Sequence, residues 1–558
     1  MIIRTFPFDD DGCRKAGSRE RGSNWPVVYL IYGSGCLYVG ETSSFTNRFK
    51  QHLSNSEKKK ILKNISLIDD VEFNKSAVLD IEQHLIRLCG ADGKFELLNK
   101  NAGQSGTHDY FQRKKYEDKI PQIWDKMSRK GLTKQSYNDV INLNVFKYSP
   151  YIALTSEQNE VCYNVLKEIL ETLEKGRSGT SVIHGCVGTG KTIVGINIVY
   201  TLANISLMNA DVDENSTDKW HTLIREWKEF AEKHKPKIGF VIPMQSLRAT
   251  LSKVFKEVGG SEMKKMIISP YAVTKEKYDV LIVDESHRLK QRQSLSGGTE
   301  YAMFDSCCAD LTVKPNQSNQ LEWIIKQSRH RVLFYDSLQS IKPCDIPSDV
   351  FENIIKGTVC QNEYLTSQLR CLGGNDYIEY INDVFSGNIT EKKKFGKYDI
   401  KVFNKIQDMI DEIQSLDKSK KLCRILAGFS WEWNSRKRNL KTIEIEGRKY
   451  IWNTTDKDWI ISKNAINEIG CVHTTQGYDL NYVGVIFGRE IEWDEEKNNF
   501  VIYPEKFFDK KVKEKSSPEK VKEHIINAYK VMMTRGIKGC YMYACNPGMK
   551  NFLKKWFE

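Results

Sequence analysis

Residues 185–192 read GCVGTGKT, and this octapeptide limits the possible fold more than any other stretch of the chain. It fits G-x-x-x-x-G-K-[ST], follows the apolar run SVIH and opens the helix-patterned IVGINIVYTLAN. Such a loop works between a strand and the helix after it. Gly185, Gly188 and Gly190 let the backbone wrap, its N–H groups point inward, and the helix N-terminus adds its dipole. Lys191 then reaches the terminal phosphates of a nucleotide, and the Thr192 hydroxyl completes a magnesium shell. The spacing predicts a parallel α/β layer that binds ATP or GTP with Mg2+.

About ninety residues on, YDVLIVDESHRL ends an apolar run in Asp284 and Glu285. Two acids at a strand tip are an ordinary surface feature when they stand alone. Downstream of a phosphate loop they place Asp284 on the metal and Glu285 at the attacking water, so hydrolysis is expected as well as binding. The runs KIGFVIP, HRVLFYD and YVGVIFG are Val/Ile-rich and suit central parallel strands buried on both faces. Residues 209–237 and 288–330 break this rhythm and read as inserted helices and loops at the surface.

The chain has 558 residues, enough for three or four structural units, and its 40% hydrophobic and 28% charged content excludes a disordered tail or a collagen. Lys and Arg exceed Asp and Glu by 84 − 72 = 12, which permits a polyanionic partner without demanding one. The 14 cysteines form no C-x-x-C couple, which predicts a reduced, cytoplasmic protein without a structural metal. No run approaches the roughly eighteen apolar residues of a membrane span, and the N-terminus turns charged where a signal peptide needs an apolar stretch. Neither secretion nor membrane insertion is expected.

Across residues 150–558 the sequence resembles the superfamily 1 helicases, and more closely their Schlafen-like group, in motifs that come in chain order. The resemblance implies two RecA-like parallel α/β lobes with insertions. It implies that Gln158 of LTSEQ reads adenine and that VIPMQSLR, residues 241–248, touches the nucleic-acid strand. In FYDSLQSI it puts Asp336 and Gln339 at the γ-phosphate, joined by Arg370 of SQLR, the segment HTTQGYD, and Arg535 of YKVMMTRGIKG as the arginine finger. RILAGFSWEW, residues 424–433, is the stretch most like the Schlafen-like group. Physically, a cation from a second lobe stabilises the spreading phosphoryl charge only when the lobes close, which converts nucleotide binding into motion. The departure from the family is HTTQGYDLNYVG where a more basic segment is usual.

Near the N-terminus, WPVVYLIYGSGCLYVG reads as a β-hairpin. A two-residue turn at Gly33-Ser34 would set Tyr29 opposite Tyr38 on one face. The next helix carries Arg48 and His52 four residues apart, hence on one side, and a later helix over about residues 75–89 offers Glu82. A base for water, a cation for phosphate and a carboxylate for a divalent metal suit phosphodiester hydrolysis. Residues 27–101 resemble the GIY-YIG nuclease domain, with VVY and YVG as its two tripeptides, although Val27 stands where the first glycine is usual. By that resemblance Tyr29 acts on the water nucleophile, through Tyr38 or His52, and Arg48 stabilises the phosphate. Glu82 is the single ligand of Mg2+ or Mn2+, and Asn99 completes the set.

The boundaries expected from the sequence are a polar leader at 1–25, a GIY-YIG domain at 26–115 and a connector at 116–148. A first lobe at 149–345 and a second at 346–558 follow. The function expected is an ATP-dependent helicase or translocase fused to a metal-dependent endonuclease, with DNA ahead of RNA as partner and anti-phage defence ahead of repair. The alternatives are a nucleotide-controlled DNA-sensing switch without unwinding, and an ATPase whose N-terminal module only binds. Basic clusters such as Lys58-Lys59-Lys60 read as solvated faces. No oligomeric state follows from the sequence.

Overall fold

The structure, a computed structural model, describes the chain outside residues 19–23, 100–110, 151, 153, 187, 208–218, 296, 337–343, 369–370, 433–440, 456–458, 476–478, 510–511 and 514–516. It divides into two compact units. One holds Met1–Asn164, Ile196–Lys233 and Lys253–Val258, and the other Val165–Gly195, His234–Ser252 and Gly259–Glu558.

The first unit is built on a five-stranded sheet of β1 (Ile2–Pro7), β2 (Val27–Gly33), β3 (Cys36–Thr42), β4 (Asn64–Asp69) and β5 (Glu96–Leu97), in the order β1-β4-β2-β3-β5. The hairpin pairs Tyr29 with Gly40 and Ile31 with Tyr38. Its turn is therefore Ser34-Gly35, one residue beyond the expected Gly33-Ser34. Both turn residues take positive φ, +46° and +80°, as a tight two-residue hairpin turn requires, and glycine at the second site meets that demand freely. Gly33 ends β2 paired with Cys36, where a Cβ would come within 2.6 Å of the Lys63 nitrogen, so a side chain does not fit there. The shift moves the pairing by two positions, so Tyr29 and Tyr38 still share a face, diagonally instead of directly opposed.

The expected leader is a correction. Residues 2–7 pair antiparallel with β4, Ile3 against Ile68, and α1 (Asp10–Gly17) follows with the Asp9 carboxylate capping the Gly12 nitrogen at 2.7 Å. Ile3 and Phe6 are buried, which ties this stretch to the sheet despite its charged surroundings. Helices α2 (Phe45–Ser54), α3 (Ser56–Ile61) and α4 (Lys75–Asp92) complete the small domain.

The expected connector is also part of this core. After α5 (Arg113–Glu117), α6 (Ile120–Arg129) buries Ile120, Ile123, Trp124 and Met127 in the same apolar cluster as Val28, Leu30 and Leu85. Asp92, at the end of α4, accepts from the Lys134 and Gln135 nitrogens at 2.8 and 2.7 Å. Arg87 donates to the Phe146 carbonyl at 2.9 Å. The packing runs to about residue 146, so the nuclease-like domain is larger than its motifs.

The second unit holds two parallel α/β lobes. Strands β6 (Gly179–Gly185), β7 (Ile238–Val241), β8 (Ile267–Ile268), β9 (Tyr278–Val283), β10 (Ser328–Tyr335) and β11 (Cys360–Leu365) form a six-stranded parallel sheet ordered β11-β6-β10-β9-β7-β8. The boundary expected after residue 345 is corrected here, since β11 pairs with β6 and belongs to the first lobe. The insertion after Arg288 has its own small core, where Phe304 and Trp323 pack with ring centroids 4.5 Å apart.

The second lobe has seven strands: β12 (Asp399–Val402), β13 (Cys423–Ala427), β14 (Ile443–Ile445), β15 (Arg448–Trp452), β16 (Glu468–Gly470), β17 (Leu480–Phe487) and, after the hairpin β18 (Ile491–Asp494) and β19 (Asn499–Ile502), β20 (Gly536–Ala544). Their order is β12-β20-β17-β13-β16-β15-β14, parallel except for the β14–β15 pair. Among the described residues no helix is long and apolar enough to cross a membrane.

Candidate active sites

The phosphate loop leaves β6 at Gly185 and enters the helix Lys191–Leu207. Gly188 and Gly190 hold φ of +88° and +83°, which side-chain-bearing residues rarely adopt. Lys191 is buried, and its Nζ donates to the carbonyls of Gly185 at 2.6 Å and Cys186 at 3.0 Å and pairs with Asp336 Oδ2 at 3.3 Å. The ammonium is thus folded onto the loop that would present it to a phosphate.

Thr192 Oγ1 donates to Asp284 Oδ2 at 2.9 Å. Asp284 directly follows β9 in full burial, and its Oδ1 has no hydrogen-bond partner among the described residues. Burial and the neighbouring Glu285 carboxylate push Asp284 above the usual carboxylate range, with the Thr192 hydroxyl and Lys191 opposing them. A hydroxyl and an orphaned, buried carboxylate oxygen side by side fit an oxygen-ligated divalent cation such as Mg2+. Glu285 is held in the opposite direction. Burial would raise it, but His287, whose Nε2 lies 2.7 Å from Oε2, keeps its pKa low. Glu285 also sits at φ +48°, ψ +48°, a left-handed conformation that costs on the order of 1 kcal/mol for a side-chain-bearing residue.

The structure brings Thr192 to Asp284 and Lys191 to Asp336, with Glu285 next to Asp284 in the chain. Gln339 and Arg370 lie outside the described residues. Gln158 is buried at the start of the helix Ser156–Glu174, where it exchanges two hydrogen bonds with Thr155, each 3.2 Å long, as a reciprocal cap. Arg535 is buried just beyond the helix Pro518–Met533, and its Nε donates back to the Val531 carbonyl at 3.2 Å. Sequence reasoning took Arg370 from SQLR and passed over Gln368. A Cβ on Gly188 would fall 1.9 Å from Gln368 Oε1, so this amide rests directly against the loop.

In the first unit, Tyr29 on β2 is 1% exposed and its hydroxyl lies 2.8 Å from His52 Nε2, with Arg48 Nε donating to the same oxygen at 3.3 Å. The Tyr29 and Tyr38 ring centroids are 6.3 Å apart. Burial first, then Tyr38, raises the Tyr29 hydroxyl well above its ordinary value, with Arg48 opposing. Asn99 anchors the far side of the hairpin, accepting from the Val39 nitrogen at 3.0 Å and donating to its carbonyl at 2.8 Å. Glu82 on α4 is pushed up to about 7 by burial and by Glu41, while Lys75 pulls it down. A carboxyl held this high by burial beside a second carboxylate fits a cation site. Among the described residues no group of three or more His, Cys, Asp or Glu side chains could hold a metal.

Residues 178–546 match the family model for the Schlafen group 3 DNA/RNA helicase domain. The chain belongs to that family. Residues 26–94 match the GIY-YIG catalytic domain, so the Schlafen group 3 lobes are joined here to a GIY-YIG domain in one polypeptide. An uncharacterized protein of Saccharomyces cerevisiae is 23% identical over 444 residues, covering 72% of this chain and 90% of its own. Among solved structures, a DNA replication initiation factor and AMPPCP-bound DnaA from Aquifex aeolicus align at 15% and 14% identity with TM-scores of 0.19 and 0.20. They cover 50% and 49% of this chain, which spans 66% and 65% of theirs. The GIY-YIG domain and the Schlafen group 3 lobes together support an enzyme combining a nuclease with a nucleotide-dependent motor.

Proposed function

We propose that the protein is an ATP-driven DNA translocase or helicase that carries its own metal-dependent endonuclease. The observation behind this reading is the Thr192–Asp284 pair, in which the buried carboxylate keeps one oxygen unpartnered among the described residues beside the phosphate loop. In the motor, the loop N–H groups and Lys191 hold the terminal phosphates, and Lys191 exchanges its loop carbonyls and Asp336 for phosphate oxygens. Thr192 and Asp284 would hold Mg2+, which supplies charge neutralisation for the leaving phosphate. Glu285, kept ionised by His287, orients and deprotonates the attacking water. Gln339, Arg370 and Arg535 sense the γ-phosphate as the lobes close, and Gln158 reads adenine.

In the nuclease, Tyr29 acts on the water nucleophile, Arg48 binds the scissile phosphate, and Glu82 would hold Mg2+ or Mn2+, which supplies Lewis-acid activation of the phosphodiester. Tethering the two raises the local concentration of the cutter on any strand the motor holds. A nuclease licensed by a motor suits defence against invading DNA. The 14 free cysteines fit a reducing, cytoplasmic setting.

The test compares wild type with Lys191→Ala and Glu82→Ala on plasmid, linear and branched DNA with Mg2+, with and without ATP. Loss of cutting in both variants is the expected result for a motor-licensed nuclease. Loss only in Glu82→Ala makes the activities separable, and no cutting of any DNA by wild type overturns the DNA nuclease reading.

A further inference from the structure

The three lysines of α3 do not share one environment. Lys59 and Lys60 are exposed, whereas Lys58 is half-buried against the nuclease cluster, contrary to the reading of this run as a solvated face. The Lys58 Nζ lies 3.9 Å from the centroid of the Tyr38 ring and 3.3 Å from His52 Nδ1. An ammonium has three donors and no acceptor, so the imidazole must receive this bond. His52 is neutral: burial, then the charges of Lys58 and Arg48, push its pKa down to about 3. A neutral imidazole carries one N–H, and with Nδ1 accepting, that hydrogen is on Nε2. The 2.8 Å contact between Nε2 and the Tyr29 oxygen is then donated by the histidine.

We propose that Lys58 is a positioning residue of the nuclease, fixing the Nε2–H tautomer of His52 so that the ring donates to Tyr29 instead of taking its proton. The proposal rests on reading residues 26–94 as a working nuclease. Its consequence is that the Tyr29 oxygen receives two donors, His52 Nε2–H and Arg48 Nε–H, and both favour the phenolate against the burial that disfavours it. The hydrogen of the phenol is turned away from the ring. Without Lys58 the imidazole hydrogen is free to move to Nδ1, Nε2 becomes an acceptor, and Tyr29 must donate. The polarity of the cluster reverses with no heavy atom displaced. His52 therefore serves as a hydrogen-bond donor, which removes it from the relay between Tyr29 and water that its position suggests.

The test uses the full chain as wild type, Lys58→Met, Lys58→Arg and the control Lys59→Met. Histidine-selective 15N NMR, with His52 assigned through His52→Gln, is expected to show the protonated shift on Nε2 in wild type and Lys58→Arg, and exchange between both nitrogens in Lys58→Met. In single-turnover cleavage with Mg2+, the rate at saturating DNA should fall about tenfold or more in Lys58→Met, with Kd changed by less than about twofold, and Lys58→Arg should recover most of it. A wild-type His52 with its hydrogen on Nδ1 overturns the proposal. So does a Lys58→Met that binds DNA more weakly but cuts at the wild-type rate once saturated, since Lys58 would then be a phosphate contact and not a positioning residue. If the wild type cuts nothing, the nuclease reading fails, and the NMR result still decides the tautomer.

Discussion

Thr192 and Asp284 are 92 positions apart in sequence and 2.9 Å apart in space, one hydroxyl donating to one carboxylate oxygen while the second oxygen stays unpartnered among the described residues. The pair joins the first turn of one helix to the tip of a strand two places away in the sheet. Burying this acid is costly, and Lys191 and the Thr192 hydroxyl offset only part of that cost, so the pair fits a cation that arrives with the nucleotide.

Asp284→Asn keeps the shape and removes the charge. ATP hydrolysis should fall about 100-fold or more, and the rise in melting temperature given by Mg-ATP should shrink. Phosphate release and melting curves with and without Mg-ATP check this.

Glu82→Gln should make the nuclease domain more stable while abolishing cleavage. The folded carboxyl titrates near 7, above its unfolded value, so the native state binds its proton more tightly. Wild type therefore loses stability as pH rises from the unfolded pKa through 7, and the variant does not. In EDTA the two melting temperatures should converge near pH 4 and separate up to pH 8, the variant higher, while added Mg2+ should raise wild type alone.

Gly188→Ala places a methyl group into Gln368 at a φ of +88°. Nucleotide affinity should drop at least about tenfold, because the loop must abandon its conformation, at a strain of roughly 1–3 kcal/mol. Gln368→Ala removes the steric conflict and leaves the backbone strain, so the double variant should recover only part of the loss. Fluorescent nucleotide titration separates the two contributions.

Trp124→Ala tests whether the segment after residue 115 belongs to the nuclease domain. Trp124 is fully buried in its core, and truncation should cost about 3–5 kcal/mol. The variant should lose cleavage and melt early, while its ATPase rate stays at the wild-type value.

Much of this was legible because spacing along one element survives folding. Arg48 and His52 share a face of α2 by helical period, and Tyr29 and Tyr38 share a face of the hairpin even though the turn sits one residue further on, since a two-position shift preserves the alternation. Gly-Ser-Gly allows either register, and the pairing of Gly33 with Cys36 settles it. Strand β11, CQNEYL, was not readable as a strand of the first lobe. It lies at the sheet edge, keeps polar residues facing solvent and lacks the Val/Ile run that marks central strands. Lys58 and Gln368 were missed for a different reason: each meets its site through space, with no period joining it to His52 or Gly188, although Gln368 stands in the SQLR segment itself.

Edge strand β11 bears on the motor in one more way. Its last residue, Leu365, is paired with Gly185, the first glycine of the phosphate loop, and the chain then runs through residues 366–373 to the helix Gly374–Ser386 of the second lobe. The root of the nucleotide cradle and the exit to the other lobe are thus laced together by sheet hydrogen bonds. In mechanical terms Gly185 is a fulcrum between the phosphate loop and the end of β11, so a tug on the loop reaches Leu365 without crossing the body of the sheet.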